Sequence, residues 1–240
     1  MRTCHRSAVD LMALASVERS GARHSWDVAR HEARPGGATA GRILGLVAVA
    51  LALGYAPAFA ATITVTTTAQ SSTTECTLTD AIIAANTDAP SNGCPAGAGP
   101  DTIVLGDLTP FLNVATSQIT SDVTIEGNGA VFGGFGFNVQ AGGALTLKHV
   151  TSAGAFCQNA SLSVEHSTLT GSGPGGIFAS VCTVTVRHST ISGNGDGNSG
   201  IWSGGLVVLD SSAEVINSTI SGNYSRDGGG GILSARSNGR

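Results

Sequence analysis

The feature that most constrains this chain is a phrase that returns. His188-Ser189-Thr190-Ile191-Ser192-Gly193-Asn194 reappears as Asn217-Ser218-Thr219-Ile220-Ser221-Gly222-Asn223. Each copy follows a five-residue unit that alternates apolar and polar residues. Val123-Thr124-Ile125-Glu126-Gly127 resembles Leu145-Thr146-Leu147-Lys148-His149, Leu162-Ser163-Val164-Glu165-His166 and Val184-Thr185-Val186-Arg187-His188; Ala213-Glu214-Val215-Ile216-Asn217 is a weaker copy. The last residues of these units lie 22, 17, 22 and 29 positions apart. Gly176-Ile177, Gly200-Ile201 and Gly231-Ile232 recur between them. Alternation at period two marks strands with one buried face. Repetition every 20–30 residues or so marks a stacked array. A propeller blade needs a longer, four-stranded unit, and leucine-rich repeats need a Leu/Asn frame that is missing here. Short strands with Gly-rich turns at uneven spacing are expected to form an all-β parallel β-helix. In that solenoid each turn of chain lies about 4.8 Å from the last. Inward Val, Ile and Leu then sit over their equivalents, and insertions loop outward without disturbing the register.

Composition narrows the function. Charged residues make up only 12% of the 240 positions, too few for a coiled coil or a disordered tail. The net charge of −4 argues against a nucleic-acid partner. Charge is also uneven: residues 1–60 hold seven Arg and four acids, whereas residues 61–240 hold five Lys/Arg and twelve acids. From Ile43 to Ala56 run fourteen uncharged residues, preceded by Arg30, Arg34 and Arg42 and followed by Ala58-Phe59-Ala60. That layout is expected of a secretory signal peptide cut after Ala60. The apolar run is short for a membrane span and is interrupted by Gly45 and Gly54, with Pro57 just after it. The chain therefore divides into a leader extension over 1–41, whose start lies upstream of any periodic pattern, and a signal core with its cleavage site over 42–60. A cap over 61–110 and repeats over 111–240 follow. The expected destination is outside the cell, extracellular or on a bacterial, outer-membrane-associated surface.

Thr62–Thr66 alternates as a strand, and Asp101–Leu105 reads as the next. Between them Thr77-Leu78-Thr79-Asp80 has the pattern of a capping box. Leu78, Ala81, Ile82 and Ala85 follow at helical spacing, which predicts a helix from about Leu78 to Asn86. Leu78, Ile82 and Ile83 are expected to plug the open end of the first repeat, covering its backbone edge and apolar interior. Four cysteines remain after cleavage: Cys76, Cys94, Cys157 and Cys182. An even number in an exported chain indicates two disulfides, with three pairings open. Sequence proximity favours Cys76–Cys94 and Cys157–Cys182. There is no C-x-x-C pair to suggest zinc or thioredoxin-like chemistry.

Cys76-Thr77-Leu78-Thr79-Asp80-Ala81-Ile82, followed by Ala84-Ala85-Asn86, resembles the CSLREA domain. That domain is the N-terminal cap of many exported bacterial β-helix proteins. The flanks agree: Ile63-Thr64-Val65 upstream, then Cys94 and Asp101-Thr102-Ile103 downstream. The S-T-I-S-G-N and G-G-G-I phrases are similar to repeats of right-handed, pectin-lyase-like β-helices. The resemblance covers about residues 62–240. It departs at Thr79 and Asp80, where the family usually has Arg and Glu, so no ion pair from that Arg carries over. It implies a right-handed parallel β-helix solenoid with a short N-terminal capping helix. It does not imply one activity, because this fold hosts lyases, hydrolases, adhesins and tail spikes.

Candidate chemistry is sparse. His149, His166 and His188 fall at equivalent positions, and Asn217 continues the column. The row reads either as a metal ladder or as a stacked polar ladder at a strand-to-turn corner. The second is expected, because no acid is fixed beside it. Glycosidases need two or three carboxylates converging on one bond, whereas Asp196, Asp210, Glu214 and Asp227 are spread over turns. Arg187, Arg226 and Asp227 are the residues from which a lyase site would have to be built. Asp196 and Asp227 are weak candidates for calcium, since oxygen-rich turns can coordinate it. Asn194 and Asn223 are expected to support turns through left-handed backbone. Trp202 alone is too little for a sugar platform, and the Asn159, Asn217 and Asn223 glycosylation patterns are expected by chance. The expectation is a non-catalytic cell-surface protein for adhesion or display, with no catalytic residue and no obligatory cofactor. Its partner would be a surface ligand such as a carbohydrate or a neighbouring cell. The alternative is a polysaccharide lyase or glycoside hydrolase of the same fold. The sequence ends after a Gly-rich turn that elsewhere leads into another strand. The array is therefore expected to be unfinished, with self-association through its open last coil.

Overall fold

The alternating segments pair with one another in the order in which the chain lays them down. The computed structural model describes residues 59–108, 111–112, 117–133, 136–173, 175–195, 204–226 and 228–236. The signal-peptide run, Trp202 and both calcium candidates, Asp196 and Asp227, lie outside these residues. Strand β1 (Thr62–Thr64) precedes helix α1 (Leu78–Thr87), which is followed by β2 (Asp101–Val104) and β3 (Phe111–Leu112). Then come β4 (Asp122–Gly133), β5 (Phe137–Val139), β6 (Ala144–Ser152), β7 (Ala155–Gln158), β8 (Ser161–Glu165) and β9 (Thr168–Thr170). The chain continues through β10 (Ile177–Ser180), β11 (Thr183–Arg187), β12 (Thr190–Ser192), β13 (Leu206–Leu209), β14 (Ser212–Ile216), β15 (Thr219–Ser221) and β16 (Ile232–Ala235).

These strands form two parallel sheets. The larger runs β1-β2-β4-β6-β8-β11-β14, with β9, β12 and β15 paired in a row beside it; the smaller runs β5-β7-β10-β13-β16. Val123, Leu145, Leu162, Val184 and Ala213 are successive register partners. The sequence spacings of 22, 17, 22 and 29 are therefore the true register of the sheet. In the second sheet Ile177 pairs with Leu206 and Leu206 with Ile232. The equivalent of Gly176-Ile177 is thus Gly205-Leu206, which corrects the match to Gly200-Ile201; that dipeptide falls outside the described residues. From Thr170 to Ile177 is seven positions, and from Ser192 to Leu206 fourteen. All seven residues by which the 29-residue unit exceeds the 22-residue unit therefore lie between β12 and β13.

Ordinary parallel sheets are covered by helices on both faces. Here every pairing between the described strands is parallel, yet most strands bury alternate residues and leave the others toward solvent. Val123, Ile125, Leu145, Leu147, Leu162, Val164, Val184 and Val186 are buried in one continuous core. Strands β14 to β16 are mostly exposed, with Val215 and Ile232 on the surface.

The corners use left-handed backbone at single residues. One column holds Gly142, Asn159, Val181 and Asp210, with φ of 85°, 50°, 56° and 47°. Each stands two residues before its strand. Gly and Asn tolerate this conformation, but a β-branched side chain crowds the next carbonyl at a cost of about 1–2 kcal/mol. Val181 is also 53% exposed, so little packing offsets that cost. Val181→Asn is expected to stabilise the chain by about 1 kcal/mol, raising the thermal midpoint by roughly 2–4 °C. Calorimetry of the two proteins would check this, and a lowered midpoint would contradict it.

Helix α1 starts as its capping pattern requires. Thr77 Oγ1 accepts the Asp80 amide at 3.1 Å and donates to Asp80 Oδ2 at 2.6 Å. The helix runs one residue beyond the expected end, and Asp88 closes it in the left-handed region at φ 50°. Leu78, Ala81, Ile82 and Ala85 are buried, but Ile83 is 37% exposed. The expected plug is therefore corrected: the small residues Ala81, Ala84 and Ala85 complete it, not Ile83. Both disulfides join the partners that sequence proximity favours. Cys76–Cys94 spans 4.5 Å between Cα atoms and ties the helix start to the loop after it. Cys157–Cys182 spans 6.3 Å and links β7 to the corner before β11. Replacing Cys157 and Cys182 by Ala is expected to cost about 3 kcal/mol in the chain-entropy model, read from the urea midpoint.

Candidate functional site

The histidine row lies along the corner between the β4-β6-β8-β11-β14 strands and the β9-β12-β15 row. His149, His166, His188 and Asn217 all adopt left-handed backbone, with φ between 47° and 52°. That shared bend throws their side chains outward in line. The His149 and His166 rings stack at 5.3 Å between centroids, and the His166 and His188 rings at 4.9 Å with planes 8° apart. Asn217 Nδ2 lies 3.3 Å from His188 Nε2. At the other end His149 Nδ1 lies 2.7 Å from Glu126 Oε1, which corrects the expectation that no acid stands beside the row. A bulge precedes the row: between Glu126 and Ala130 the partner strand advances only from Lys148 to Val150. A side chain at Gly127 would meet Val150 and the His149 carbonyl, so only glycine fits there. Asn128, His149, Thr151, His166 and Thr168 line a shallow groove along this corner.

The rings spend their faces on one another. Among the described residues no three His, Cys, Asp or Glu side chains converge as a metal site would require.

Beneath the row, backbone satisfaction is done by serines. Ser167, Ser189 and Ser218 Oγ accept the amides of Val150, Ser167 and Ser189, each at 3.1 Å. Each also donates to the carbonyl two residues back, at 2.7 Å. The hydroxyl thus satisfies an amide at each left-handed corner, and Ser189 and Ser218 share their carbonyls, Arg187 O and Ile216 O, with the His166 and His188 amides at 3.1 Å. Asn194 and Asn223 do comparable work and correct an expectation. Neither is left-handed; the glycines beside them, Gly193, Gly195 and Gly222, are. Asn194 Oδ1 accepts from the Ser172 amide at 3.1 Å, and its Nδ2 donates to Leu169 O at 3.0 Å and Asn223 Oδ1 at 2.9 Å. Asn223 Nδ2 donates to Ile191 O at 2.9 Å.

Of the acids and bases named from sequence, Asp196 and Asp227 lie outside the described residues, and Arg187 and Glu214 are brought together. Arg187 pairs with Glu214 at 2.8 Å, and Lys148 with Glu165 at 3.4 Å, both at the surface. Asp210 stands at a left-handed corner of another edge. Asp80 is buried, and its Oδ1 accepts from Ser91 Oγ at 3.1 Å and Asn92 Nδ2 at 2.6 Å. It organises the loop after α1.

Two features escaped the sequence reading. Asn86 Oδ1 accepts from the Thr120 and Ser121 amides at 2.9 and 3.2 Å, and its Nδ2 donates to Gln118 O at 2.7 Å. It thereby fastens α1 to the segment leading into β4. Phe156 and Phe178, register partners on the second sheet, stack at 5.1 Å with planes 1° apart. Their 22-residue separation equals the repeat spacing and is the signal that would have found them. Each turns a face to the other, so this pair does not offer a flat, open platform for a sugar ring. Among the described residues no helix is long and apolar enough to cross a membrane. Set against protein-family models, curated proteins and solved structures, the chain matches none of them.

Proposed function

We propose that this chain is an exported, non-catalytic surface module: a right-handed parallel β-helix closed at its N-terminal end by a CSLREA-like cap. Three observations support the architecture. Every strand pairing is parallel, the strands are joined without intervening helices from β2 onward among the described residues, and each sheet keeps a solvent face. Parallel pairing needs a crossover, and here the crossover is a strand of another row. Such crossovers are right-handed in nearly all sheets.

The observation that carries the functional reading is how the repeat spends its versatile side chains. His, Ser, Asn, Glu and Arg of successive units bind one another and the backbone, unit to unit. These groups stiffen a scaffold, and a stiff scaffold suits adhesion or display toward a carbohydrate or cell surface. The Ala58-Phe59-Ala60 site and the two disulfides fit an oxidising compartment.

Surface proteolysis of intact cells expressing the full chain tests the display reading, with release of the repeats expected. A parallel assay on pectin and alginate, with and without calcium, is expected to release no unsaturated or reducing sugar. Steady turnover that vanishes in Arg187→Ala or Glu214→Ala would overturn the surface-module reading in favour of a lyase.

A further inference from the structure

The cap carries an unusual charge problem. Residues 59–126 contain seven acids and no Lys, Arg or His. The most deeply buried of these acids is Asp101, only 2% exposed. Its Oδ1 accepts from the Ala98 amide at 2.8 Å and the Ala61 amide at 3.1 Å. Its Oδ2 is buried without any hydrogen-bond partner, pressed against Gly97, where a side chain would strike it. A buried carboxylate with one unsatisfied oxygen and no paired cation is costly to keep. The groups on the elements around it make matters worse. Asp80 lies on α1 and Asp88 at its end, Asp122 and Glu126 lie on β4, and β1 has no charged residue.

Among the described residues, Ala61 carries a nitrogen beside Asp101 that chain cleavage would turn into a cation. It follows the expected cleavage site directly. Its carbonyl accepts from the Thr102 amide at 2.8 Å, so it is pinned beside β2. Phe59, two residues earlier, is 77% exposed, and Ala60 is exposed as well. The Ala60–Ala61 bond therefore sits on the surface, while the nitrogen it would release sits 3.1 Å from a buried carboxylate.

We propose that cleavage after Ala60 completes the cap: the new α-ammonium of Ala61 forms an ion pair with buried Asp101. This rests on the export reading and extends it. Water hydrolyses the peptide bond, Ala60 leaves as a carboxylate, and the Ala61 amine takes up a proton. One N–H donor becomes three, with a positive charge. The two added donors can serve Asp101 Oδ2, the orphaned oxygen. The processed chain is then held more tightly than its precursor at the edge from which the sheet begins.

The sign of the pH dependence follows. An α-amine that gains an anionic partner on folding titrates above its unfolded value of about 8. Its stabilisation is full below that value and is lost as pH rises through the folded one. The test is to express the full chain in an exporting host, map the N-terminus by mass spectrometry, and follow labelling of that amine by an amine-reactive probe against pH. Peptide mapping separates it from Lys148. A product starting at Ala61 should show an amine shifted up by at least one unit, labelling at least about fivefold more slowly at pH 8 and about tenfold more slowly at pH 7 and below. Asp101→Asn should restore ordinary labelling. A product starting at Ala61 with an ordinary amine overturns the ion pair and leaves export standing. A product starting elsewhere overturns the cleavage reading. The ion pair is then tested on chain released at Ala61 from a fusion, where an ordinary amine again overturns it. If Asp101→Asn fails to fold, the wild-type titration alone decides.

Discussion

Asn194→Ala is expected to destabilise the protein by about 3 kcal/mol or more, one of the largest effects of any single truncation at a polar position. Asn194 is 1% exposed, and its amide binds three different partners across adjacent repeats. Truncation leaves the Ser172 amide and the Leu169 carbonyl without their partner, and each unsatisfied buried group costs about 1–3 kcal/mol. The matching truncation at His166, whose ring only stacks at the surface, is expected to cost less than about 1 kcal/mol. Urea denaturation of both variants separates scaffold from ornament: comparable losses would mean that the histidine row holds the repeats together as much as the asparagine row does.

Ile82→Asp is expected to undock helix α1, costing more than about 4 kcal/mol, because it places an unpaired charge at a fully buried position. Ile83→Asp should cost no more than about 0.5 kcal/mol, since its side chain reaches solvent. The pair isolates which face of the helix closes the repeats. Equal losses in the two variants, read by the same denaturation curves, would mean that the helix packs in another orientation.

The repeating strands were legible because period-two alternation and a register shared by five units both point to one arrangement. Their pairing partners could be read off by aligning the phrases, since each copy sits over the last. The capping box was legible for a similar reason: Thr77 and Asp80 act within one helical turn. Ile83 was misread because an apolar residue next to Ile82 looks like core. A helix turns about 100° per residue, so the stripe of Leu78, Ala81, Ile82 and Ala85 leaves Ile83 to one side. Gly200-Ile201 was misread because an identical dipeptide outweighed the spacing, whereas the sheet follows the spacing and places Gly205-Leu206 there. Asn194 was assigned to the backbone bend when its neighbours Gly193 and Gly195 make the bend and free its amide for the interior. The stacked Phe156 and Phe178 were hidden because their strands are short and their flanking residues differ. Asp101 could not be recognised as buried from its own context, since an acid at the start of a strand usually faces water.

The most direct test of the stacked architecture is an NMR measurement of inter-strand contacts in the isotope-labelled protein. Backbone contacts linking Val164 to Val186 and Val186 to Val215, in parallel pattern, are expected from the register. Contacts that pair these strands antiparallel, or that join Val186 to residues only a hairpin's length away, would contradict the stacking on which the whole reading stands.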